Sequence, residues 1–154
     1  MSEMWNLWHG CHKKSEGCQH CYVYRRDAEF EKDSNVVTKT ASFNLPIRRD
    51  RSGNWKVPSG TLMWTCFTSD FFIEEADEWR EDAWLMIKRR SDLHFFMVTK
   101  RPERIPHCLP EDWVTVTNTS RSAVRWKTSD ARMSVCRCSE NCPSDTRLLS
   151  VNLY

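Results

Sequence analysis

The sequence predicts an α/β fold, and three observations carry that expectation. TLMWTCF (61–67) and LHFFMVT (93–99) are continuous apolar runs of strand length, rich in β-branched and aromatic residues, the pattern of strands buried on both faces. Between them, the segment Glu74–Arg90 places Ala76, Trp79, Ala83, Met86 and Ile87 on one helical stripe. Strand, helix, strand in that order implies parallel pairing through a right-handed crossover, which puts functional groups at the C-terminal ends of the strands.

The elements follow in order along the chain. A short aromatic stretch, Trp5 to Trp8, precedes a loop rich in cysteine and histidine, and YVYRRDAEFEKD then suits a helix with Tyr22, Arg25, Arg26 and Glu29 at helical spacing. Residues 34–60 hold Pro46, Gly53, Pro58 and Gly60 among polar residues and read as loop, with NVVTKT and ASFNLPI at best short strands. The 74–90 helix has Glu74, Glu75, Asp77 and Glu78 in its first turn and Lys88, Arg89 and Arg90 in its last, each matching the helix dipole. After the second buried strand, Pro102 in KRPERI suits the first turn of a further helix.

Composition divides the 154 residues at Trp113. Residues 1–113 hold every Phe and seven of the eight Trp, whereas 114–154 hold one Trp, no Phe and twelve Ser or Thr, so only the first part has the means to build an aromatic core. Charge is also uneven: 17 Lys and Arg face 18 Asp and Glu before the break and 6 face 3 after it, so the formal +2 belongs to the tail and gives nucleic-acid binding no footing. No stretch approaches the length of a spanning helix and no signal peptide opens the chain, which predicts a cytoplasmic protein without a membrane partner. In that reducing compartment, eight cysteines are better explained by metal binding than by disulfides.

Cys11, Cys18 and Cys21 fall within eleven residues, WHGCHKKSEGCQHCY, a spacing that gathers soft thiolates at one metal centre and leaves a position to be filled from elsewhere. Gly10 and Gly17 give that loop backbone freedom. Zinc is one candidate, with His9, His12 or His20 as fourth ligand or with the second triplet, Cys136, Cys138 and Cys142; His12 and His20 also read as exposed loop residues. An iron-sulfur cluster is the other. Cys66 reads as core, and Cys108 beside His107 has no assigned role.

Three cysteines after a first strand and before a first helix resemble the radical S-adenosylmethionine enzymes, although the commonest spacing there is CxxxCxxC and this chain has CxxxxxxCxxC. The resemblance implies a [4Fe-4S] cluster on Cys11, Cys18 and Cys21, with the fourth iron taking the amino and carboxylate groups of S-adenosylmethionine. It implies a partial (β/α) barrel. A polar motif after the second strand would bind the cofactor amino group, here Ser69 and Asp70, which also have the residue types of a helix N-cap. Thr99, Lys100 and Arg101 end the next strand, where cations would grip an anionic substrate or the cofactor carboxylate.

WNLWHGCHKKSEGCQHCYVYRRDA, TCFTSDFFIEEADEWR and FFMVTKRPERI, from about Met4 to Trp113, are similar in order to the signatures of the phage-encoded three-Cys-motif family. That family is found beside a dedicated partner protein, and its substrate is not established. After LPEDW it continues with GDGY, TVENQ and CEPL, which this chain lacks. A single frameshift accounts for all three. If Trp113 to Thr117 is encoded TGG GTG ACG GTT ACG, the shifted triplets GGT GAC GGT TAC spell GDGY; the same shift recovers TVENQ from Val124–Ser129 and CEPL from Ser150–Tyr154. The expectation is an incomplete radical-SAM-type domain at 1–113 and a non-homologous, poorly ordered tail at 114–154, in a copy of doubtful activity. The competing readings are a non-catalytic zinc module that binds protein or nucleic acid through both triplets, and an accessory protein acting only through its partner.

Overall fold

Three short parallel strands frame the site. The computed structural model describes residues 1–110 and, beyond them, the backbone of four strands. In chain order the elements are β1 (Ser2–Trp5), β2 (Trp8–His9), α1 (Tyr22–Glu29), β3 (Thr38–Lys39), β4 (Leu62–Thr65), α2 (Asp77–Arg89), β5 (His94–Val98) and α3 (Ile105–Cys108). The four further strands are β6 (Val114–Asn118), β7 (Ala123–Lys127), β8 (Arg132–Cys136) and β9 (Leu148–Asn152). One sheet runs β1-β4-β5-β9-β8-β7-β6; β1, β4 and β5 are parallel, and β9 joins β5 antiparallel. Trp5 pairs with Thr65 and Thr65 with Met97, so the C-terminal ends of β1, β4 and β5 stand level at one edge of the sheet.

The apolar runs form strands as the sequence predicts, but only one face of each is fully buried. Met63 and Thr65 on β4 and Phe95 and Met97 on β5 are inside, while Leu62, Trp64, His94, Phe96 and Val98 are half-buried. The buried face joins the core built from Trp5, Phe71, Ala83, Trp84, Met86 and Ile87, each large side chain contributing about 1.5–3 kcal/mol on transfer from water. On the other face Trp64 packs edge-on to Phe96, with ring centroids 4.7 Å apart, in a partly open aromatic layer.

Helix α2 keeps the predicted stripe, with Ala83, Met86 and Ile87 buried, and a 3-10 turn at Glu74–Ala76 precedes it. Its C-cap residue Arg90 is wholly buried, and its guanidinium donates to the carbonyls of Pro46 and Val57 and to Asp92. One side chain thus ties the long 34–60 connection to the end of the helix. In ASFNLPI the structure has a 3-10 turn at Leu45–Ile47 rather than a strand, because Pro46 has no N–H to give a ladder. Helix α1 forms as the spacing of Tyr22, Arg25, Arg26 and Glu29 predicts and stops at Glu29; those four residues are exposed, and the side chains it buries are Val23 and Asp27. Among the described residues no helix is long and apolar enough to cross a membrane.

Candidate functional site

A cavity of about 1080 Å³ opens at the C-terminal ends of the parallel strands, and Cys11, Cys18 and Cys21 all line it. Its remaining wall includes Cys66 to Asp70 after β4 and Val98 and Lys100 at the end of β5. The predicted site residues from three separate segments therefore meet in one place. Cys18 ends a 3-10 turn, and Cys21 is the N-cap residue of α1. Among the described residues no three His, Cys, Asp or Glu side chains converge closely enough to hold one ion. Of the histidines weighed as ligands, His9 Nε2 lies 2.7 Å from Asp27 Oδ2 and His12 pairs with Glu75, while His20 is exposed on the cavity wall. The side chains of Cys136, Cys138 and Cys142 lie outside the described residues.

The loop carrying Cys11 is clamped on every side. Gly10 takes a φ of +95°, and a Cβ there would collide with the carbonyl oxygen of Val36, so glycine is required for the close approach. The Gly10 N–H donates to Thr68 O at 3.3 Å and the Cys11 N–H to Ser34 O at 2.7 Å. Ser34 Oγ donates to Asp27 Oδ2 at 2.5 Å, and the Tyr24 hydroxyl donates to the Cys11 carbonyl, so α1 holds the loop from one side. Burial opposes the Asp27 charge, but hydrogen bonds from Ser34 and His9 outweigh it and lower its pKa.

The polar motif after β4 works as a junction. Cys66 leaves the strand with φ of 63°, a conformation that costs free energy for a residue with a side chain, and its N–H donates to Trp5 O at 2.9 Å. Asn6 Oδ1 accepts from the N–H groups of Phe67 and Thr68, and Ser69 Oγ donates to Gly10 O. Asp70 is buried, and its carboxylate accepts four hydrogen bonds: Phe72 N and Thr99 Oγ1 on Oδ1, Lys100 N and Arg101 Nη1 on Oδ2. These occupy the four lone-pair sites a carboxylate has. Asp70 is thus not a helix cap; the cap position of the following 3-10 turn belongs to Ile73.

The two cations that end β5 part company. Arg101 is buried and turned inward, whereas Lys100 is half-buried and faces the cavity, where its charge helps lower the Cys18 thiol. Burial pushes against that lowering at Cys18, and the hydrogen bond from Ser15 Oγ at 3.4 Å, with those of the backbone, overcomes it. Cys11 behaves oppositely, its thiol pushed up to about 11 mainly by burial, with Arg101 pulling it back down.

Sequence reasoning missed Asn6, Tyr24, Asp27 and Ser34 as parts of this framework. A lone Asn between Trp5 and Leu7 on an apolar stretch is the one local signal among them, since a polar side chain there must find a partner when buried.

The family model described as "Protein of unknown function (DUF5131)" matches residues 1–152. Neither a curated protein nor a solved structure matches the chain.

Proposed function

The chain belongs to the DUF5131 family, and we propose that it is an iron-sulfur protein of radical S-adenosylmethionine type whose cluster sits on Cys11, Cys18 and Cys21. The observation that carries this reading is the shared cavity at the C-terminal ends of the parallel strands, where all three thiols meet Ser69, Asp70 and Lys100. In a [4Fe-4S] cluster each cysteine takes a different iron, so the sulfurs surround a common volume; a mononuclear zinc site instead needs its ligands around one point. That all three cysteines line one cavity supports the cluster reading, while among the described residues no three His, Cys, Asp or Glu are placed to hold a single ion. The parallel order β1-β4-β5 supports this reading, since parallel strands joined by helices are the repeating unit of a (β/α) barrel.

A reduced cluster bound there would supply the single electron that cleaves S-adenosylmethionine to methionine and a 5′-deoxyadenosyl radical. The chain's own residues bind and orient. Ser69 Oγ spends its proton on Gly10 O and keeps lone pairs for an ammonium group. Lys100 offers a cation to a carboxylate. Asp70, its lone pairs occupied, holds the ends of β4 and β5 in register beneath both.

Within this reading the chain is a cytoplasmic phage or prophage protein with a dedicated partner protein, and the motifs missing after Trp113 make the activity of this copy doubtful. Anaerobic reconstitution tests the centre: iron with sulfide and a brown chromophore are expected, and both are lost in Cys18→Ala. One colourless zinc per chain would replace the proposal with the non-catalytic zinc module. An assay for 5′-deoxyadenosine on the reconstituted protein then separates an active copy from an inactive one.

A further inference from the structure

Arg101 is buried beside the cavity, and its guanidinium reaches both the cysteine loop and the junction beneath it. Its side chain is 4% exposed. Nη2 donates to His12 O at 3.0 Å, and Nη1 lies 3.7 Å from Cys11 Sγ and 3.4 Å from Asp70 Oδ2. Asp70 is in turn locked to the end of β5 through Thr99 Oγ1 at 2.8 Å and Lys100 N at 2.7 Å. The Arg101 N–H donates to Thr99 Oγ1 at 2.9 Å, so the backbone that bears the guanidinium is part of the same lock.

From this geometry we infer that Arg101 is the positioning residue of the cysteine centre: it hangs the Cys11 loop from the end of β5 and lays a buried positive charge against the Cys11 sulfur. The inference rests on the proposed cluster for its consequence but not for its geometry. The planar fork of arginine fits the task, since three acceptors on two segments must be met at once and a lysine ammonium on a flexible stem does this poorly. The charge also fits. The guanidinium lies between the Asp70 carboxylate, which balances its charge, and the Cys11 sulfur. Arg101 is therefore withdrawn from substrate binding, which leaves that role at the end of β5 to Lys100.

The test is amide hydrogen exchange on the whole metal-free chain, with iron content measured separately. The Gly10 and Cys11 amides, bonded to Thr68 O and Ser34 O, report the loop. In Arg101→Gln they are expected to exchange about tenfold faster or more, the loss of a charged hydrogen-bond anchor, while amides in α2 and β4 keep their rates. Arg101→Lys is expected to fall between the two and covers the case in which Arg101→Gln does not fold. Arg104→Gln, which loses contacts to Phe72 O and Asp77 outside the cysteine loop, leaves the loop amides unchanged. Uniform acceleration across the sheet in Arg101→Lys, or loop rates equal to the parent chain in either Arg101 variant, overturns the inference. Iron uptake distinguishes the two proposals: a parent chain that binds no iron defeats the cluster and leaves the exchange result to judge Arg101. A parent that binds iron, beside an Arg101→Gln that binds it as tightly, defeats the positioning role alone.

Discussion

Gly10 and Gly17 look alike in the sequence and do different work in the molecule. Gly10 sits at φ +95° against the Val36 carbonyl, whereas Gly17 lies in a 3-10 turn and is not among the described glycines with positive φ. Gly10→Ala is therefore expected to destabilise the protein by about 2 kcal/mol or more, since strain and collision exceed the small gain from a stiffer unfolded chain. Gly17→Ala should change stability by about 0.5 kcal/mol or less. Urea denaturation of the two variants checks this, and equal midpoints would refute it. Asp70 and Arg101 teach the same point about charge. Their types and their places after strands were legible as a polar site, but their saturation by partners from three segments was not, because pairing of residues 31 positions apart leaves no local trace.

Helix α2 was readable as a whole because an amphipathic stripe and dipole-matched charges repeat the same message at every turn. Helix α1 was readable as a helix but not in orientation: Asp27 faces inward with Val23, and an acidic residue is not read as core until Ser34 and His9 are seen beside it. The end of α2 carries a pH dependence. Asp92 is lowered to about 2, first by its hydrogen bonds from Arg90, with burial opposing and Ser59 assisting. A carboxyl lowered on folding stabilises the protein above its unfolded pKa, near the ordinary 3.8, and that contribution is lost as pH falls through about 2. Denaturation midpoints measured from pH 6 to 2 should drop less steeply in Asp92→Asn than in the parent. Because other carboxylates titrate in the same window, the difference between the curves is the quantity to read, and parallel curves would count against a stabilising Arg90–Asp92 pair.

At the scale of the whole molecule, β9, contributed by the segment after Trp113, joins β5 antiparallel. The family model's match also runs through residue 152, across the place where a frameshift is proposed. The coding DNA decides between the two: the shifted frame is expected to read GDGY, TVENQ and CEPL in order, and a shifted frame without them removes the proposal. Restoring that frame should yield a chain with a higher thermal midpoint than the present one, checked by calorimetry. What the sequence determined by itself was local: the helix read over 74–90 and formed over 77–89, the apolar strands, the cysteine-rich loop and the polar residues that follow each strand, all of which repeat or cluster within a few residues. Only the tertiary structure decided that one face of β4 and β5 stays partly open, that the three cysteines line one cavity, and that Arg101 turns inward while Lys100 faces the cavity. The reason is physical. Burial and partner choice depend on which distant segments fold against a residue, and that is a property of the packed chain rather than of any window along it.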